Sequence, residues 1–390
     1  MAEPPLKGIR VIELARILAG PWAGQQLADL GADVIKVESP DGGDDTRKWG
    51  PPFVMSHDGE NLSAAYYHCC NRGKRSIAID FSKPEGAETL RRLVATSDVL
   101  IENFKLGGLK KYGLDYESLK AVNPRLVYCS ITGFGQDGPY SPRAGYDFII
   151  QAMAGMMSVT GEAGREPQKA GVAISDLFTG LYSVIAIQAA LRHAEKTGEG
   201  QHIDMALFDS QISALANQNL NYLVSGKSPV QMGNAHMNIA PYEVLPVKNG
   251  HIILAVGNDG QFAKFCAVVG LTDLPANPDF ATNPARVANR AKLRETIVAT
   301  LAAFDRDPLL AKLEEAGVPA SPINTIGQMF ADPQTIARGM RLDLDDGHGN
   351  LLPSVRAPMV MSGTPLVYER ASPRLGEHTD EILAELERAK

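Results

Sequence analysis

The chain has 390 residues, 44% of them hydrophobic and 21% charged, with a formal net charge of −7. That is ordinary for a soluble globular protein of two domains, and an acidic balance without a dominant basic tract argues against a general nucleic-acid partner. Four cysteines without a CxxC, and no HExxH or His/Cys cluster, argue against a disulfide framework and a metal site, so the thiols are expected to be reduced and mostly buried. The apolar runs read as too short for a bilayer span, and the opening MAEPPLKGIRVIEL lacks the apolar core of a signal peptide. The expectation is a cytoplasmic protein with no membrane partner.

In chain order, Ile9–Leu14 (IRVIEL) reads as a strand, followed by a helix opened by Pro21, running to Leu30 and stopped by Gly31. Asp33–Glu38 is the next strand. After a Gly/Asp-rich loop come a strand at Ser76–Phe81, a helix around Gly86–Thr96, and strands at Asp98–Phe104 and Arg125–Phe134. Such alternation predicts an α/β layer fold with a parallel sheet, whose ligands bind beyond the carboxyl ends of the strands. The loops after Leu14, Glu38, Phe104 and Phe134 are therefore the places to look. Beyond about residue 225 the texture changes to a smaller α+β domain. It holds a hairpin at Asn249-Gly250 and helices at Gln261–Val269, Ala288–Phe304 and Asp307–Ala316. The tail reads as a helix, a hairpin at Asp343–Leu352 and a final helix capped by Thr379.

The first strand loop, ARILAGPWAG (Ala15–Gly24), lacks GxGxxG, and neither a Walker motif nor GxSxG occurs. This argues against a nicotinamide dehydrogenase, a P-loop NTPase and an α/β-hydrolase. Two strand-associated loops are basic: Arg72, Lys74 and Arg75 in one, Lys105, Lys110 and Lys111 in the other. Each alone reads as a solvated face; together they suit a polyphosphate ligand. Asp176 stands where a small-residue loop meets the apolar stripe Leu177, Leu181, Val184, Ile187 and Leu191. It reads either as a helix N-cap or as a nucleophile kept ionised by the helix N-terminus. Local pattern leaves both open.

The segments LKGIRVIELARILAGPWAGQQLADLGADVIKVE, NRGKRSIAIDF, DVLIENFKLGGLKKYGL, NPRLVYCSITGFGQDGPY, RAGYDFIIQA, GVAISDLFTGLYS, KTGEGQHIDMALFDSQ and PRLGEHTDEIL run in order from residue 6 to residue 383. In that order and spacing the chain resembles the class III CoA-transferases, the family of formyl-CoA transferase and carnitine CoA-transferase. The resemblance implies an enzyme that takes an acyl-CoA and a free carboxylic acid as substrates, with no permanently bound cofactor. The nucleophile would be Asp176. It further implies an interlocked homodimer whose chains each hold a Rossmann-like large domain built from both chain ends. The division would be residues 1–200, a linker helix at 201–224, the small α+β domain at 225–325, and a return to the large domain at 326–390. The implied CoA-facing positions are Ile17, Leu18 and Ala19; Asn71, Arg72, Gly73 and Lys74; Asn103, Phe104, Lys105 and Lys111; and Ala144, Gly145, Tyr146 and Asp147. Ser39 replaces an Arg of formyl-CoA transferase, and VGNDGQF (Val256–Phe262) matches that enzyme's Gly-rich shielding loop only in part. Amides at Gly257 to Gly260, or at the start of the Asp176 helix, are the candidate oxyanion donors.

The same family contains α-methylacyl-CoA racemases, which use a His in a GHD motif. Here the motif is Gly145-Tyr146-Asp147. A phenol with a pKa near ~10 is a poor base at neutral pH, which favours transfer over racemisation. Tyr146 is expected to be a partly buried aromatic of the cleft. The segment NAHMNIAPYEVLPVKNGHIILAVGNDGQF resembles the branch acting on succinate, glutarate and hydroxymethylglutarate. Arg16, Arg47, Arg143 and His236 are then the candidates for an acceptor's distal carboxylate, and an ordinary surface ion pair or a CoA-phosphate contact is the alternative for each Arg. A non-catalytic CoA-binding protein, with Asp176 as a cap, is the remaining alternative from another class.

Overall fold

Short apolar runs separated by helices build a six-stranded sheet. Its strands are β1 (Arg10–Glu13), β2 (Asp33–Glu38), β3 (Arg75–Ala78), β4 (Val99–Glu102), β5 (Val127–Thr132) and β6 (His202–Ala206). They lie in the order β3-β2-β1-β4-β5-β6, every neighbouring pair parallel. That is the Rossmann order, with its reversal between β1 and β4. The structure is a computed structural model and describes residues 2–388.

Helices cover both faces of the sheet, so its inner strands are buried on consecutive residues. On one face Val11, Val34, Ile101 and Cys129 pack with Ala23 and Leu27 of α1 (Ala19–Asp29) and with Ile187 and Leu191 of a later 24-residue helix, Ile174–Thr197. On the other, Ile12, Ile35, Ile77 and Leu100 meet Leu90 and Val94 of α2 (Pro84–Ala95) and Leu119 of α3 (Tyr116–Val122). Ile382 and Leu386 of the C-terminal helix, Thr379–Arg388, join the same cluster. Each buried aliphatic side chain contributes about 1.5–3 kcal/mol. α4 (Asp147–Met153), α5 (Ile174–Thr197) and α6 (Leu207–Ala214) complete the site-bearing side of this unit.

α1 and α5 cross closely because Gly180 has no side chain. A Cβ there would stand 2.7 Å from the Ala19 carbonyl oxygen and 3.0 Å from the Trp22 ring. By length and composition α5 is apolar enough to cross a membrane, contrary to the expectation from the apolar runs. Here it packs against α1, α6, β5 and β6.

The chain divides into two compact units. The first takes residues up to Met156, Ala170–Ser225 and everything from Pro333 onward; the second takes Met157–Lys169 and Gly226–Asp332. The expected helix at 201–224 is corrected. His202–Ala206 is the edge strand β6, paired with Tyr128–Thr132, and helices follow at Leu207–Ala214 and Asn217–Ser225. The alternating HIDMA suits that half-exposed edge.

The second unit is wider than the expected 225–325. Met157–Lys169 belongs to it through Gln231 Nε2, which donates to the Thr160 carbonyl at 2.9 Å, and Gly233 N, which donates to the Gly161 carbonyl at 2.9 Å. Its sheet is antiparallel: β7 (Tyr242–Val247), β8 (Gly250–Ala255) and the short β9 (Ala320–Ser321). Leu245, Ile252, Phe262, Phe265, Ile297 and Leu313 form its core. The wholly buried Arg286 donates to the carbonyls of Ala240 and Phe280 and to Asp259 Oδ1, at 2.7, 2.9 and 2.7 Å.

In the tail, β10 (Arg341–Asp345) and β11 (Leu351–Val355) form the expected hairpin. Thr379 is the first residue of its helix and not its cap. Its hydroxyl accepts from Ala78 N at 3.1 Å and donates to the Gly376 carbonyl, which ties the helix to β3. All four cysteines are free; Cys70, Cys129 and Cys266 are buried and Cys69 is exposed.

Candidate active site

The sheet order reverses between β1 and β4, so their carboxyl ends open a crevice that neither crossover fills. A cleft of about 630 Å³ lies there. The loop after β1 contributes Arg16, Ile17, Leu18 and Ala19, and the loop after β4 contributes Asn103, Phe104, Lys105 and Lys111. Arg143, Ala144, Gly145, Tyr146 and Asp147 enter from the segment after β5, and Asp176 from the first turn of α5. These are fourteen of the residues singled out from the sequence, drawn from four separate parts of the chain.

Asp176 is not a cap. α5 begins at Ile174 with Ala173 at its N-cap, so Asp176 is the third helical residue. Capping falls instead to Asp147 of α4, whose Oδ1 accepts from Ser175 N at 2.8 Å while its Oδ2 accepts from Gln151 Nε2 at 2.7 Å. This leaves the half-buried Asp176 carboxyl without a hydrogen-bond partner among the described residues. The expectation that the helix N-terminus keeps it readily ionised is also corrected. Burial, followed by the charge of Asp147, pushes its pKa up to about 7.

Four cations line the cleft: Arg16, Lys105, Lys111 and Arg143. Arg16 is half-exposed, paired with Asp45 at 2.9 Å, with its guanidinium 5.7 Å from the centre of the Phe104 ring. The Arg143 guanidinium lies 4.1 Å over Tyr140. Tyr146 is 63% exposed and is not the partly buried aromatic expected.

The NRGK turn differs. Asn71, Arg72, Gly73 and Lys74 do not line the cleft, and the three side chains point into the protein. Arg72 pairs with Asp29 at Nη2 and at Nε, the latter at 2.9 Å. Lys74, fully buried, pairs with Glu13 at 2.8 Å and donates to Asn71 Oδ1 and to the Pro21 carbonyl. Arg47 is likewise spent inside. It makes a two-pronged contact with Glu38 at 2.9 and 2.8 Å and donates to the Tyr67 hydroxyl and the Pro373 carbonyl. Buried and off the cleft wall, it is not placed to meet an acceptor.

His236, Gly257 and Gly260 belong to the second unit. His236 Nδ1 accepts from Asn238 N at 3.1 Å. The Gly257 amide donates to Gln261 Oε1 at 2.8 Å and is not open, whereas Gly260 is the second residue of the helix Asp259–Val269, in the first turn where amides have no partner within the helix. Ser39 is exposed, its hydroxyl accepting from Asp41 N.

Asp45, Phe81, Tyr112, Thr132, Gly133 and Leu207 also line the cleft wall, unmarked by any motif, and Tyr66 lies near Asp176 and Asp147. Burial and the nearby charges of Asp176 and Asp147 push the Tyr66 phenol above its ordinary range. Asp45 was findable: it follows β2 at a carboxyl end, in a loop already marked for inspection.

A model of the family described as "CoA-transferase family III" matches residues 6–379. A succinate–glutarate CoA-transferase of Agrobacterium fabrum is 63% identical over 385 residues, covering 99% of this chain and 96% of that one. A human succinyl-CoA:glutarate CoA-transferase is 41% identical over 383 residues, covering 98% and 86%. Among solved structures, a CAIB/BAIF family protein from Brucella suis has 61% identity and a TM-score of 0.88, covering 99% of this chain and 100% of that chain. A hypothetical protein from Mycobacterium tuberculosis has 29% identity and a TM-score of 0.86, covering 98% and 100%. A match of this extent, over a fold with the Rossmann strand order and an acid-bearing crevice at its reversal point, places the chain in CoA-transferase family III and makes it an enzyme of that family.

Proposed function

We propose that this enzyme moves CoA between succinate and a small dicarboxylic acid such as glutarate, with Asp176 as the covalent relay. The observation that carries the reading is Asp176 itself: a carboxyl on the cleft wall, relieved of capping by Asp147, with its pKa raised to about 7. A carboxylate that is poorly stabilised by its surroundings is a better nucleophile than one held in an ion pair.

The reaction balances without external protons. The Asp176 carboxylate attacks the donor thioester carbonyl; the C–S bond breaks, CoA leaves as thiolate, and an aspartyl mixed anhydride remains. The thiolate attacks the Asp176 carbonyl of that anhydride, expels the donor carboxylate and forms an aspartyl-CoA thioester. The acceptor carboxylate attacks this thioester, releasing thiolate and forming a second anhydride. Thiolate then attacks the acceptor acyl carbon, giving the new acyl-CoA and restoring the Asp176 carboxylate.

Lys105 and Lys111 suit the phosphates of CoA, and Arg16 and Arg143 suit the distal carboxylate of a dicarboxylic acid. The dicarboxylate preference is supported by the names of the Agrobacterium and human relatives. The proposal includes a homodimer with interlocked chains. It is supported by apolar side chains left exposed along the first unit, among them Ile185 on α5, Ile212 on α6, and Leu220, Leu223 and Val224 on the following helix.

The test is incubation with succinyl-CoA and a panel of glutarate, hydroxymethylglutarate, malate, oxalate, formate and carnitine, with new acyl-CoA species read by mass spectrometry. Transfer to a dicarboxylate is expected. No transfer to any acid, with exchange of an α-hydrogen of a branched acyl-CoA into deuterated water, would overturn the reading in favour of a racemase.

A further inference from the structure

Ile17, on the cleft wall, has a φ of +73°. A β-branched residue is strongly disfavoured in that left-handed region, where its side chain crowds the backbone. The conformation must be held by its surroundings, and the holding groups can be named. The Ile17 amide donates to both oxygens of Asp44, each at 3.3 Å. Asp44 is buried and ion-paired to Lys36 Nζ at 2.9 Å. Lys36, fully buried, also donates to the Ala15 carbonyl at 3.0 Å, so one ion pair grips the loop at two points, on either side of Arg16 and up to the amide of the strained residue.

The same carboxylate also sets the adjoining turn of the cleft wall. Asp44 accepts from Thr46 N and Thr46 Oγ1 at 3.0 and 2.8 Å and so starts the single 3₁₀ turn Asp45–Lys48. From that turn Asp45 reaches Arg16, the neighbour of Ile17, at 2.9 Å. Burial alone would raise the Asp44 pKa, but Lys36 and the Thr46 hydrogen bonds outweigh it and hold it at about 2. The clamp therefore stays charged across the range in which the enzyme would work.

We propose that the buried Lys36–Asp44 pair is a positioning device for CoA binding: it holds Ile17 in its left-handed conformation and thereby sets the wall Arg16–Ala19 against which CoA lies. Neither residue touches the cleft, and both act through the Ile17 backbone. The inference rests on the CoA-transfer reading, but its test reads affinity and not turnover.

Four proteins decide it: wild type, Asp44→Asn, Ile17→Gly, and the double variant, each titrated with free CoA by calorimetry and melted by calorimetry in parallel. Glycine adopts positive φ without cost. If Asp44 acts by holding Ile17, Asp44→Asn weakens CoA binding about 10-fold in the wild-type background and less than about 3-fold in the Ile17→Gly background. Loss of melting temperature from Asp44→Asn should be similar in both, because the Lys36 partner is lost in both. The same weakening of CoA binding in the two backgrounds, or none in either, would overturn the proposal. Should Asp44→Asn fail to fold, Asp44→Ser replaces it, because a serine keeps a cap for Thr46 N and drops the hold on Ile17. Failure of wild type to exchange CoA between acids would sink the functional reading alone, since the four affinities would still report on the clamp.

Discussion

Two groups of cations at the strand ends began as the same signal and ended as opposites. Lys105, Lys111, Arg16 and Arg143 line the cleft, and the nearest thing to a bound partner among them is the half-exposed Arg16–Asp45 pair. Arg47, Arg72 and Lys74 sit one layer deeper, each matched to a buried carboxylate: Glu38, Asp29 and Glu13. What separates the groups is a neighbouring acid. Glu13 and Glu38 end β1 and β2, and Asp29 ends α1, so any cation beside those ends is drawn inward and neutralised. Basic residues near a strand end mark a ligand site only where no acid of the adjoining strand or helix claims them.

The largest effect is expected at Asp176, which neither pairs with a cation nor caps its helix. Asp176→Ala should lower turnover by about 10³-fold or more while leaving the melting temperature at or above that of wild type. Retained turnover in a steady-state exchange assay would refute the covalent role. Next in size is the buried group: Arg72→Ala and Arg47→Ala should each cost about 3–5 kcal/mol in urea unfolding, because each strands a buried carboxylate, and Lys74→Met should cost less, because Glu13 keeps Lys36 at 3.0 Å. If any of them melts like wild type and raises only the KM for acyl-CoA, that residue belongs with the cleft.

Smaller again is the cleft group. The double variant Lys105→Ala/Lys111→Ala should raise the KM for acyl-CoA about 10-fold, flatten its salt dependence, and move stability by no more than about 0.5 kcal/mol. An unchanged KM would show that neither lysine meets a phosphate.

The last effect comes from pH. Because folding raises the Asp176 pKa to about 7, the folded protein holds this proton more tightly than the unfolded chain does. Stability therefore falls as pH rises from about 4 towards 7, and Asn has no proton to lose. Asp176→Asn should be more stable than wild type by about 2 kcal/mol at pH 8 and by nothing near pH 4, allowing for partial solvent access. Wild-type kcat/KM should rise through pH 7 as the nucleophile ionises, in a profile measured with exchange as the readout. A flat profile between pH 6 and 8 would contradict the raised pKa.

The parallel sheet was legible because both its faces are buried, so that runs such as Val11-Ile12 and Val99-Leu100-Ile101 are apolar on consecutive residues and stand out. β6 was not: HIDMA is an edge strand with alternate residues exposed, and it lies between two helices that draw it into a helical reading. Membership of Met157–Lys169 in the second unit was invisible, since it depends on hydrogen bonds donated by the Gln231 side chain and the Gly233 amide, far along the chain. At the site, position along the strands located the cleft loops, and the family resemblance singled out Asp176. Side-chain direction was out of reach. The inward turn of Arg72 and Lys74 needs Asp29 and Glu13 in space, and the capping of α5 needs Asp147, 29 residues before Asp176. The strain at Ile17 has no sequence signature, because an isoleucine there announces a strand and not a left-handed turn.

The most direct test of the account is to trap the enzyme on its substrate. Wild type would be mixed with succinyl-CoA without an acceptor acid, quenched in acid, digested and analysed by mass spectrometry. The account predicts a peptide carrying CoA through a thioester at Asp176, heavier by one CoA less one water, and absent from Asp176→Asn. Exchange that proceeds with no such adduct, or with CoA attached at another residue, would contradict it.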